Sequence, residues 1–269
     1  MMKIIYPLIV LFIFGCQTDS NNPSVINDLN TTLPDTNSNN YSLNGVWGLT
    51  NYFDSIIHNK ELAKYRIQPP TWFGLIFEID NDSVISYGSL VEDGFKINID
   101  ADTMSIIDSY GGKYWLSRKK NHLELIQLPN QSKLDTTKYI YRKRDDLKSI
   151  TTNMDKFHKI SSNVSNYFNN ELFAGTYLIK NTNDTIKLYK NGELINFKDF
   201  KEYTIRNYFG TSHPFNNLDV LIFKNSQKTE YWNWIFNKNE LKLTRLVSDF
   251  KASDDYKLSD ETIYFRKIN

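Results

Sequence analysis

The pattern N-x-L-x-L-x-x-L occurs twice in this chain. It reads Asn121-His122-Leu123-Glu124-Leu125-Ile126-Gln127-Leu128 and again Asn239-Glu240-Leu241-Lys242-Leu243-Thr244-Arg245-Leu246. In each copy two leucines share one strand face and a third falls out of phase, as at a bulge or a strand end. Each copy is preceded by a Tyr-Trp pair, Tyr114-Trp115 and Tyr231-Trp232. Each is followed by a closing strand, Lys138-Tyr139-Ile140-Tyr141-Arg142-Lys143 and Thr262-Ile263-Tyr264-Phe265-Arg266-Lys267. A glycine motif opens each, Leu43-Asn44-Gly45-Val46-Trp47 and Phe173-Ala174-Gly175-Thr176-Tyr177. The order is the same both times. The chain therefore reads as two domains of one kind, over 43–145 and 171–269.

The kind is β. Leu75, Phe77 and Ile79 alternate with polar neighbours, and so do Phe95, Ile97 and Ile99. Turn signals such as Asn81-Asp82, Asp93-Gly94 and Asn191-Gly192 fall between strand signals about every 8–12 residues, the spacing of an antiparallel sandwich or barrel. Abundant Tyr and Phe favour strands. Two stretches break the rhythm. From Phe53 to Arg66 the apolar residues do not alternate, and Pro69-Pro70 ends the run, which predicts a short helix in the first copy only. Over 146–170, Leu147, Ile150, Met154, Phe157, Ile160, Val164 and Phe168 recur at helical spacing. That segment predicts an amphipathic helix joining the domains and packing on one or both.

With openers and closers in place, each copy resembles a lipocalin-like (calycin) barrel. In that family a Gly-x-Trp in the first strand packs against an arginine from the last. Here Gly45-Val46-Trp47 and Arg142 match in the first copy, and Tyr177 with Arg266 take those places in the second. The resemblance implies an all-β chain of two tandem antiparallel barrels, with Trp47, Arg142, Tyr177 and Arg266 as structural closure. An arginine over an aromatic face gains about 0.5–2 kcal/mol. The chain also resembles two-domain lipoproteins of the Bacteroidetes type, which bring no activity with them.

The N-terminus predicts an address. Lys3 is followed by an uncharged run from Ile4 to Phe14, too short for a spanning helix but the size of a signal-peptide core. Ile13-Phe14-Gly15-Cys16 resembles the bacterial lipobox, which implies a signal peptide over 1–15 and lipidation of Cys16. Residues 16–42 then read as the lipidated cysteine and a flexible leash rich in Asn, Ser, Thr and Asp. The expected place is the bacterial cell envelope, lipid-anchored at the outer membrane, with the leaflet open. Cys16 is the only cysteine, so no internal disulfide and no cysteine metal site is expected. Basic residues (32) and acidic residues (31) balance, which gives no reason to expect nucleic acid.

No catalytic constellation stands out. His58, His122, His158 and His213 show no metal spacing, and neither a nucleophile elbow nor a phosphate loop is present. No enzyme activity, cofactor or metal is expected. The best ligand candidates are Trp72, Trp115, Trp232 and Trp234, since indoles can line an apolar cavity or stack a sugar ring. The alternative is that they fill the cores. The expected function is a non-catalytic binding module for a small apolar or amphipathic ligand. Its rival is an interaction protein with filled barrels that docks on an envelope complex.

Overall fold

The computed structural model describes residues 43–65, 74–81, 83–87, 92–96, 98–100, 103–107, 113–128, 136–148, 156–207, 215, 217–249 and 255–268. Cys16, Trp72, Met154 and His213 lie outside the described residues. The fold is mostly β, in two antiparallel sheets, one of them curled into a half-barrel, with few helices.

The first sheet holds β1 (Gly45–Leu49), β2 (Ile76–Asp80), β3 (Ser83–Tyr87), β4 (Glu92–Lys96), β5 (Asn98–Asp100), β6 (Thr103–Ile107), β7 (Lys113–Arg118), β8 (Leu123–Gln127) and β9 (Thr137–Lys143). The second holds β10 (Gly175–Ile179), β11 (Thr185–Leu188), β12 (Leu194–Ile195), β13 (Glu202–Ile205), β14 (Val220–Lys224), β15 (Thr229–Asn237), β16 (Glu240–Asp249) and β17 (Asp255–Lys267). Neighbouring strands are mostly consecutive in the chain, and in each sheet the first strand pairs with the last, β1 with β9 and β10 with β17. Both openers need glycine, because Gly45 and Gly175 sit at φ +131° and +151°. The out-of-phase leucine is realised in two ways. β8 stops at Gln127, whereas β16 runs on through a register shift between Thr244 and Leu246.

In the second sheet the end strands meet. Glu193 and Glu202 bridge, and the Leu194 and Tyr203 amides donate to the Lys201 and Gly192 carbonyls. The rest of the β13 edge is covered by a helix. That helix, α2 (Lys156–Phe168), lies in the segment predicted to join the copies and continues as a π-helical turn, Asn169–Phe173. Ser165 Oγ donates to the Ile205 carbonyl at 3.2 Å, and Asn169 Oδ1 accepts from the Ile205 amide at 3.2 Å. Two backbone groups at a strand edge are thereby satisfied by side chains.

The opposite side of α2 meets the first copy. Helix α1 (Thr50–Asn59) follows β1 directly and buries Tyr52, Phe53 and Ile56. Gly48 makes room for it, since a Cβ there would lie 2.6 Å from the Phe53 ring. Phe168 of α2 stacks on Phe53 at 5.6 Å and meets Tyr52 edge-on at 6.1 Å. The Arg144 guanidinium lies 4.0 Å from both the Phe53 and Tyr167 rings and forms two hydrogen bonds to Asp146. One buried cluster consequently runs from Val46 through α1 and α2 to Phe265. The two copies have separate sheets but a common core.

Candidate functional site

In both copies the aromatic of the opening strand faces a lysine of the last strand and not the expected arginine. Trp47 is directly opposite Lys143, whose Nζ lies 5.8 Å from the indole, and Tyr177 is directly opposite Lys267 at the same distance. Each aromatic also donates to the carbonyl four residues before it, Trp47 Nε1 to Leu43 at 2.9 Å and Tyr177 Oη to Phe173 at 2.8 Å. Arg142 and Arg266 are one position off. They pair with Gly48 and Leu178 and project from the other face, where Arg142 reaches Asp54 at 3.7 Å. Side chains alternate along a strand, so a one-residue shift changes face.

The tryptophans do not form a common platform. Trp232 and Trp234 are 0% and 1% exposed. Trp232 packs with Phe197 and Phe223, and Trp234 with Phe173 and Phe236. Above Trp232, Lys198 lies 4.6 Å from the ring and pairs with Glu261 at 2.6 Å, while Glu230 accepts from Trp232 Nε1 at 3.2 Å. These indoles are core residues of the second copy. Trp115 instead stands on the outer face of β7, 42% exposed. It pairs with Ile126, whereas Leu116 takes the inward place that Trp234 takes opposite Leu243.

A cleft lies between the copies. Its volume is about 620 Å³, with one wall from the end of α1 and the turn after it, with Asn59, Lys60 and Lys64, and another from Asp219, Trp234 and Phe236. Lys60 ends α1 in the left-handed conformation, φ 53°, with its amide on the Ile56 carbonyl. That turn carries its ammonium over the Phe236 ring, 4.8 Å from the centroid and 3.5 Å from the Lys238 carbonyl.

Asp219 is the link across the cleft. Its carbonyl accepts from the Trp234 amide and from Asn233 Nδ2, both at 2.9 Å, which fixes it on the second copy. Its Oδ1 accepts the amides of Leu62 and Ala63 of the first copy, at 2.8 and 2.5 Å. Those amides open the 3-10 turn Ala63–Tyr65, so a residue distant in sequence caps it. Burial pushes the Asp219 carboxyl up to about 6, against the opposing pull of the two amides, and the nearby Glu61 carboxylate adds to the rise. Among the described residues its carboxylate forms no ion pair, and Lys64 is engaged with Glu61 at 3.2 Å. Lys60 likewise has no carboxylate among its contacts in the described residues. The buried indole N–H of Trp234 lacks an acceptor among the described residues.

Neither Asp219 nor Lys60 is marked in the sequence. No group of three or more His, Asp or Glu side chains among the described residues is placed to hold a metal. No helix among the described residues is long and apolar enough to cross a membrane. No family model, curated protein or solved structure matches the chain.

Proposed function

We propose that this chain is a lipid-anchored envelope lipoprotein of two lipocalin-like copies, acting as a non-catalytic binding module for a small amphipathic ligand. Anchoring rests on Cys16 after its apolar run, and the bound partners are the membrane and that ligand. The observation that carries the reading is the cleft. At about 620 Å³ it falls in the size range of ligand sites, roughly 300–1,000 Å³, and it joins an aromatic wall to a few fixed polar groups. The interior of the second copy is packed with Trp232, Trp234 and phenylalanines, which moves the ligand from the barrel to the junction.

The test is saturable binding of anilinonaphthalenesulfonate, an amphipathic reporter, by the full chain. Lys64→Trp, at the exposed rim, should fill the cleft and remove the binding while leaving the unfolding midpoint in place. Equal binding by the variant, or no saturable binding at all, overturns the reading. The second reading, docking on an envelope protein, is favoured by Trp115 and Ile140, 42% and 40% exposed on the outer face of the first sheet. Trp115→Ser lowering recovery of a cross-linked envelope protein, with reporter binding intact, would support it.

A further inference from the structure

Besides the Glu61–Lys64 pair, the cleft holds one carboxylate, Asp219, and one ammonium, Lys60, that form no ion pair with each other. From this we infer that its ligand is a small zwitterion, a short peptide with free termini. Its amino end sits at Asp219 and its carboxylate end at Lys60. The inference rests on the cleft being the binding site.

A carboxylate taken out of water needs a cation or donors to offset its lost hydration. Asp219 has donors for Oδ1 only, from the Leu62 and Ala63 amides. A ligand ammonium placed at the carboxylate supplies the missing charge and donates to Oδ2. Among the neighbouring charges, Lys64 is engaged with Glu61 at 3.2 Å. Lys60 is thus left as the complementary group on the opposite wall. Its long 3.5 Å contact to the Lys238 carbonyl leaves donors for a carboxylate. The ammonium lies over the Phe236 ring, 4.8 Å from its centroid, which holds it at the cleft. A second ammonium, that of Lys267, is depressed by burial and by the charge of Lys60, so an anion arriving at Lys60 also relieves that repulsion.

The two charges stand farther apart than an ion pair. A ligand bridging them carries both charges and sets apolar surface between them, which a short peptide with free termini does. The wall between them offers Trp234 and Phe236, apolar surface suited to small side chains.

The experiment is calorimetric titration of the full chain with trialanine, N-acetyl-trialanine and trialanine amide. Trialanine should bind, and blocking either end should weaken binding by about tenfold or more, the loss of one charge-assisted contact. Asp219→Asn keeps an oxygen for the Leu62 and Ala63 amides, and should bind free and acetylated peptide alike while still preferring the free carboxylate. Lys60→Gln, on the rim, should show the reverse. That crossed pattern assigns the two ends. If free and blocked peptides bind alike, or if no peptide binds while anilinonaphthalenesulfonate still does, the zwitterion is wrong and the binding module stands. If neither binds, the cleft is not the site and both fail.

Discussion

Asp219 makes a prediction whose sign is unusual for an aspartate. Its carboxyl is raised in the folded protein from 3.8 to about 6, chiefly by burial. Between those values the folded chain holds a proton that the unfolded chain has released. The stability associated with that proton is fully present below pH 3.8 and is lost as pH rises through 6. At one pH unit to 1.36 kcal/mol, the loss is about 3 kcal/mol at neutral pH. Asp219→Asn retains the oxygen that accepts from Leu62 and Ala63 but has no charge to bury. The variant should match the wild type near pH 4 and exceed it by up to about 3 kcal/mol above pH 6.5. Denaturant unfolding of the full chain at half-unit steps from pH 4 to 8 gives the difference curve directly, because all other titrating groups are shared. A flat difference would mean the carboxylate is better solvated than its surroundings indicate. A difference favouring the wild type at high pH would mean that a cation neutralises it, and would remove the basis for the charge argument at the cleft.

Other outcomes follow from the closure devices and the junction. Trp47→Ala should cost about 3–5 kcal/mol, Lys143→Ala under about 1 and Arg142→Ala no more than about 0.5. In double-mutant cycles Trp47 should couple to Lys143 and not to Arg142, and coupling to Arg142 alone would refute the register. Arg144→Lys should cost about 1–2 kcal/mol although it keeps the charge, since only a planar guanidinium stacks on Phe53 and Tyr167 while binding Asp146 twice; an unchanged midpoint would count against that bridge. Cys16→Ser should abolish incorporation of labelled palmitate and release the protein from membranes, and equal labelling would refute the lipobox reading.

The β class and the antiparallel sheets were legible because strands announce themselves by local alternation. The duplicated leucine motif located β8 and β16, and its broken phase marked both the end of one and the bulge of the other. Two errors came from reading residue type before phase. Tyr139 and Tyr141 point inward, 8% and 0% exposed, so the alternation along β9 puts the exposed Lys143 on their face, against Trp47, and Arg142 on the other. The Tyr-Trp pairs look equivalent, but the interval from Tyr114 to Asn121 is one residue shorter than that from Tyr231 to Asn239. One residue is enough to turn Trp115 to solvent while Trp232 stays in the core.

The cleft was not legible, for a physical reason. Asp219 is recognised by the amides of Leu62 and Ala63, more than 150 positions away, and a backbone amide carries no residue identity for a sequence to display. What the sequence did show was the asymmetry that creates it. A helix follows the first strand in the first copy and is missing from the second, where β10 turns straight into β11. That inserted element and the turn after it supply Asn59, Lys60 and Lys64 to one wall, its Phe53 stacks on Phe168 of α2, and the same turn receives Asp219. Two identical copies would meet without it. The cleft is therefore a product of the difference between the repeats, and shortening α1 should remove it while leaving both sheets paired.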